Sequence, residues 1–222
     1  QPFYLYFAQN AVHTPIWPGA AFAGKSQNGR FGDWVEEVDW SVGQVLDALR
    51  SQGLDKDTLV VFTSDNGPWL PKGTDGGSAG PLRGGKGSTW EGGVRVPLVA
   101  LCPGVTKPGT VEATHAITLD LYPTILEMTG IKSLAAQVDG RILAPVLRGG
   151  KLDRDAIYWH YPHYHHKRGD MGAAIRMNEW KLIVDYRDDS LSLFNLKKDP
   201  KETADQAKAL PERATAMHKQ LV

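Results

Sequence analysis

The chain has 222 residues, 41% of them hydrophobic and 23% charged, with 25 basic side chains against 25 acidic ones. That is enough for one α/β domain plus an appendage, and the balanced charge leaves no electrostatic footprint for nucleic acid or an anionic membrane. No apolar run approaches the roughly 18 to 20 residues of a membrane span, no basic and apolar leader opens the chain, and a single cysteine excludes an internal disulfide.

In chain order, Phe3 to Ala8 is aromatic and predicts a strand, ended by Gln9-Asn10-Ala11-Val12-His13-Thr14-Pro15. A polar group beyond a strand's carboxyl end is where open α/β sheets bind ligands, which makes His13 a candidate. After a Pro-, Gly- and Ala-rich loop, Phe31, Trp34, Val35, Val38, Val42, Val45, Leu46 and Leu49 recur at helical spacing. Gly53 suits the end of that helix. Asp33, Glu36, Glu37, Asp47 and Arg50 read as its solvated face, and Asp39, beside the apolar stripe, as a helix-packing hydrogen bonder. Thr58 to Thr63 is the next strand, and a strand, helix, strand unit favours a parallel crossover.

That strand stops at Ser64-Asp65-Asn66-Gly67. A carboxylate beside a carboxamide offers hard oxygen donors suited to calcium or magnesium. Asp-Asn-Gly is also ordinary turn chemistry, and the tetrapeptide by itself leaves both readings open. The continuation from Leu82 to Pro97 sets five glycines around one lysine, Lys86. Glycines let a backbone approach a ligand closely, and a lysine held there is a point charge for sulfate or phosphate. It is not the phosphate-binding loop of nucleotide hydrolases, because Gly87 follows Lys86 where Ser or Thr is required.

Val96 to Cys102 predicts a further strand, with Cys102 a buried bystander thiol. Pro123 and Gly130 bracket a helix, and Ile142, Leu143, Val146 and Leu147 form a short amphipathic one ended by Gly149-Gly150. From Asp155 onward the pattern shortens to strands at Ala156–Tyr161, Ala173–Met177, Trp180–Asp185 and Leu191–Leu196, an antiparallel meander. A last helix begins near Pro211, with Ala214, Met217 and Leu221 inward. Four histidines fall in the seven positions from His160 to His166. Their spacing matches no standard transition-metal site, and the stretch reads as a pocket lining or a solvated loop.

Ser64-Asp65-Asn66-Gly67, Gly85-Lys86-Gly87-Ser88-Thr89-Trp90-Glu91-Gly92-Gly93-Val94-Arg95-Val96-Pro97 and Val12-His13-Thr14-Pro15 resemble the later motifs of the sulfatase family, on its arylsulfatase A and N-acetylgalactosamine-6-sulfatase side. Leu193 to Glu202 resembles the end of the C-terminal subdomain of bacterial sulfatases. The resemblance implies the back part of an alkaline-phosphatase-like, doubly wound α/β sheet over residues 1–150, and a small C-terminal antiparallel sheet and helix subdomain over residues 151–222. It further implies that Asp65 and Asn66 complete a Ca2+ site, that Lys86 contacts the sulfate, and that His13 binds the sulfate or the leaving-group oxygen. His160, His163 and His165 would read the organic part of a sulfate ester, while Asp120 and His115 belong to the architecture.

The family's formylglycine nucleophile arises from a Cys-x-Pro-Ser-Arg type motif, and its first metal carboxylates from an earlier Asp-Asp pair. Neither is among these residues. The chain is therefore expected to be catalytically incomplete alone, with half a calcium site and a partner chain or second copy covering the sheet edge; the family resemblance implies a periplasmic or secreted location. A non-catalytic anion-binding module and a phosphoesterase of the alkaline phosphatase superfamily are the alternatives.

Overall fold

The computed structural model describes residues 1–132, 137–163 and 171–221. The chain divides into two compact units.

The first unit comprises Gln1–Asp57 and Pro68–Ser78. Its axis is helix α1, Gly29–Ser51, closed by Gly53 at φ +67°. The apolar spacing that predicts this helix is borne out. One of its charges is not on the solvated face: Asp33 is buried and accepts the backbone amides of Gly24, Lys25 and Ser26 at 2.8, 3.0 and 2.7 Å. These amides, Ser26 foremost, hold its carboxyl below the ordinary carboxylate range. Glu37 accepts the Gly19 amide at 2.8 Å, and Arg30 donates to the carbonyl of buried Ile16. Three side chains of α1 therefore fasten the loop that follows His13. Asp39 is exposed rather than packed as expected.

Phe3 to Ala8 does not form the expected strand. Among the described residues no strand pairs with it, and Phe3, Tyr4, Leu5, Tyr6 and Phe7 are 51–79% exposed. Aromatic content raises β propensity, but a strand exists only through its ladder partner.

The second unit comprises Thr58–Gly67 and Ala79–Val222. Strands β1, Val60–Thr63, and β2, Leu98–Leu101, pair antiparallel with Val60 opposite Leu101 and Thr63 opposite Leu98. Because Phe3–Ala8 is unpaired, the expected parallel crossover is absent from the described residues. The short helix α2, Glu91–Val94, lies between β1 and β2 in sequence. Leu59, Val61, Leu98 and Ala100 face Leu121, Ile125 and Leu143 from α3, Leu121–Thr129, and the start of α4, Ala144–Leu147. Asp120, fully buried, ties this layer together. Its carboxylate accepts the amides of Ile117 and Arg141 at 2.8 Å each and pairs with Arg154. Cys102 is buried, as expected.

The C-terminal meander forms as read: β3 Ile157–Tyr161, β4 Gly172–Met177, β5 Trp180–Asp185 and β6 Ser190–Asn195, all antiparallel in the order β3-β4-β5-β6. Period-two alternation gives it two faces. Ile175, Leu182, Val184 and Leu193 pack against Ala214 and Met217 of α5, Pro211–Leu221. The opposite face presents Ala174, Ile183 and Phe194, with Trp159 packed beside them, and Trp90 of the glycine-rich segment lies against it.

Candidate sulfate and cation site

Strand β1 delivers Ser64-Asp65-Asn66-Gly67 at its end, and the glycine-rich loop is folded directly against that point. The Gly67 amide donates to the Gly93 carbonyl at 3.0 Å. A Cβ on Gly67 would stand 1.8 Å from the Gly92 carbonyl oxygen, so this approach requires glycine. The loop closes its own neck, with the Gly92 amide donating to the Arg83 carbonyl at 2.7 Å. Within it Ser88 Oγ donates to the Gly85 carbonyl at 2.8 Å, and Gly87 takes φ +79°, which turns the chain immediately after Lys86. Asp65, Asn66 and the loop bearing Lys86 are thereby brought to one place. The glycine-rich pattern in the sequence reflects backbone stacking on backbone as well as any ligand.

Asp65 is exposed and Asn66 half-buried, with Asn66 Nδ2 3.0 Å from Asp65 Oδ1. Ser64 Oγ donates to the Asn66 carbonyl at 3.0 Å and fixes the turn. Oxygen and nitrogen of a carboxamide interchange by a half-turn of the group. That rotation would set an amide oxygen beside the carboxylate, the hard donor pair a calcium ion takes. Among the described residues no three His, Cys, Asp or Glu side chains gather as a metal site. The pair therefore fits part of a calcium shell, which needs about six to eight oxygens.

His13 lies in the other unit. Its Nδ1 is 2.8 Å from the Thr14 carbonyl and its ring stacks on Trp69 at 5.7 Å between centroids, 30° apart in plane. The Thr14 contact requires a proton on Nδ1. Nε2 is then an acceptor in the neutral ring and a donor only in the imidazolium.

Of the three histidines proposed to read the organic group, His165 lies outside the described residues. His160, on β3, meets Tyr186 Oη through Nδ1 at 2.9 Å. Alternation puts it on the sheet face opposite Trp159, hence opposite the face on which Trp90 rests. His163 is exposed, 5.4 Å from the Tyr161 ring. Among the described residues, the side-chain contacts seen for His160 and His163 are with Tyr186 and Tyr161.

What the sequence reading missed is the buried charge behind the loop. Glu91, at the first position of α2, is 1% exposed. Its carboxylate meets Lys181 Nζ at 2.9 Å, Arg176 Nη1 at 3.4 Å and Arg95 Nη1 at 3.7 Å. Lys181, on β5, is fully buried and also lies 3.0 Å from Glu202 Oε1. That second approach is an ion-pair contact without hydrogen-bond alignment. Burial pushes the Glu202 carboxyl above its ordinary range, with Lys181 opposing. Arg83 stacks on the Trp90 indole with its guanidinium carbon 3.6 Å from the centroid, and Phe194 meets the same indole edge-on at 5.6 Å. The one available signal was Lys181 itself, a lysine in a strand otherwise buried on both faces.

The fold of the chain agrees with that of solved relatives. The sulfatase family profile matches residues 1–131, and that of the N-sulphoglucosamine sulphohydrolase C-terminal region matches residues 85–222. Steryl-sulfatase from Mus musculus is 46% identical over 168 residues, covering 72% of this chain and 27% of that protein. Arylsulfatase A from Homo sapiens is 42% identical over 165 residues, covering 74% of this chain and 32% of that protein. The crystal structure of Ps i-CgsB superposes with a TM-score of 0.86 at 35% identity, over 99% of this chain and 49% of that one. The same protein has been solved in complex with k-i-k-neocarrahexaose. The chain thus spans between about a quarter and a third of the length of these curated relatives and about half that of the solved structure. With its matched profiles and its agreement in fold, the chain belongs to the sulfatase family.

Proposed function

We propose that this chain supplies the sulfate-binding lysine and two calcium ligands of a sulfuric ester hydrolase. The observation that carries the reading is the stacking of Gly67 on Gly92 and Gly93, which holds Asp65 and Asn66 at the base of the Lys86 loop.

Lys86 is the point charge that binds the sulfate oxygens and offsets the charge that builds as the ester S–O bond breaks. Asp65 and Asn66 would hold part of the shell of a calcium ion, which when bound would supply a second positive charge at the site. His13 presents Nε2 to a sulfate oxygen or to the departing alcohol oxygen. The family's formylglycine would supply the nucleophile; the Cys-x-Pro-Ser-Arg type motif it arises from is not in this sequence, where Cys102 is followed by Pro103-Gly104. On this reading the chain alone does not turn over.

The substrate class is a sulfate ester of an aryl or carbohydrate alcohol. The carbohydrate complex of a relative supports the second, and His163 and His165 are the candidates for contacting the organic group. A complementary chain or second copy would pair along exposed Phe3 to Phe7. An extracytoplasmic location rests on the family resemblance. Hydrolysis of 4-nitrophenyl sulfate in calcium buffer tests the proposal, comparing the chain alone with the chain mixed with the front half of a related sulfatase. Turnover only in the mixture supports it. A mixture that binds sulfate without turnover favours the anion-binding alternative.

A further inference from the structure

Glu202 holds both ends of the loop that carries Lys86. It is fully buried and follows β6 in a left-handed backbone conformation, φ +53°, that a non-glycine residue takes at an energetic cost. Its carbonyl accepts from Arg83 Nη1 at 2.8 Å, at the loop's first end. Its Oε2 accepts the backbone amide of Glu91 at 2.8 Å, at the loop's second end. Its Oε1 rests against Lys181, which in turn pairs with the Glu91 carboxylate. Between these two anchors run Gly84 to Trp90, four of them glycine or serine and one of them Lys86. The packed side chains of the loop, Thr89 and Trp90, lie at its second end beside Glu91, so the points Glu202 holds are the fixed ends of the segment that carries the lysine.

We propose that Glu202 is a positioning residue for Lys86: carbonyl and carboxylate of one residue pin Arg83 and Glu91, and the C-terminal sheet thereby sets the place of the sulfate-binding charge. The inference rests on the reading of Lys86 given above. It extends that reading by giving the C-terminal subdomain a role in anion binding.

The test compares Glu202→Ala, Glu202→Gln and Lys86→Ala in the 222-residue chain by peptide-resolved hydrogen exchange and by calorimetric titration with inorganic sulfate. Glu202→Ala is expected to speed exchange of the loop amides between residues 84 and 91 by about 10-fold or more, and to weaken sulfate binding by a similar factor, with β5 unchanged. Glu202→Gln keeps an acceptor for the Glu91 amide and is expected to stay within about two-fold of the parent. Unchanged loop exchange in Glu202→Ala overturns the proposal, as does faster exchange spread equally over loop and sheet, which marks a merely structural residue. Where the alanine variant does not fold, Glu202→Asp takes its place; it keeps the charge beside Lys181 but is too short to reach the Glu91 amide, and the same loop-confined change is expected. Loop exchange reads the clamp without any need for sulfate to bind. Sulfate affinity unmoved by Lys86→Ala overturns the reading of Lys86, whereas affinity lost in Lys86→Ala and kept in Glu202→Ala overturns only the clamp.

Discussion

Lys181 Nζ lies 2.9 Å from Glu91 Oε1, with neither side chain meeting solvent, and this contact joins the middle strand pair of the C-terminal sheet to the end of the glycine-rich loop. Partners buried this deeply depend on each other, because removing one leaves an uncompensated charge in a low-dielectric setting. Lys181→Met keeps the volume and removes the charge, leaving Glu91 and Glu202 facing the same gap. A loss of about 3–5 kcal/mol is expected, read from the urea midpoint.

The glycines of the loop divide by what surrounds them. On Gly92 a Cβ would stand 2.4 Å from the Gly84 carbonyl oxygen and 2.5 Å from that of Arg83, and backbone atoms cannot move aside cheaply. Gly92→Ala is expected to cost about 1–3 kcal/mol or more and to open the loop. Gly43, inside α1, has nothing within 4 Å of such a Cβ. Gly43→Ala is expected to stabilise by roughly 1 kcal/mol, through helix propensity and a less disordered unfolded chain. Thermal or urea unfolding of the two variants checks both signs.

His115 gives a pH dependence. Burial first, then the charges of Arg176, Arg95 and Arg154, hold its imidazole below the ordinary value of 6.5, with Glu91 opposing. The folded state therefore keeps His115 neutral where the unfolded chain takes up a proton. Its contribution to stability is whole above pH 6.5 and declines as pH falls below that value, until the folded group itself protonates. Glu202 acts in the other direction, since its raised carboxyl binds a proton in the fold sooner than in the unfolded chain as pH falls. His115→Gln is expected to flatten the decline in urea midpoint between about pH 6.5 and 5. An undiminished decline in that variant assigns it to other groups.

How far the sequence could be read depended on the range of the interactions. The four C-terminal strands and α5 were legible almost to the residue, because alternation, turn chemistry and helical spacing are local. The Asp65-Asn66 turn and the Lys86 loop were legible as motifs. Phe3 to Ala8 carries the composition of a strand, but composition says nothing of a partner. Asp33 sits at a helical position shared with solvated acids, and only the fold shows three amides converging on it. Glu91, Lys181 and Glu202 meet across sequence separations of 90 and 111 residues, where no periodicity operates.

Asp65 is the carboxylate of the proposed calcium pair, so its loss should show first in metal dependence. In a complemented enzyme Asp65→Ala is expected to raise the calcium concentration for half-maximal turnover by at least about 10-fold, with the fold unchanged by circular dichroism. An unaltered calcium requirement would assign the ligand role elsewhere.

The most direct measurement is the rate of 4-nitrophenyl sulfate hydrolysis by the chain alone, by the chain mixed with a sulfatase front half, and by that mixture with Lys86→Ala. The account predicts no turnover from the chain alone, turnover in the mixture, and a fall of roughly 100-fold or more with Lys86→Ala. Turnover by the chain alone, or a mixture indifferent to Lys86→Ala, would contradict it.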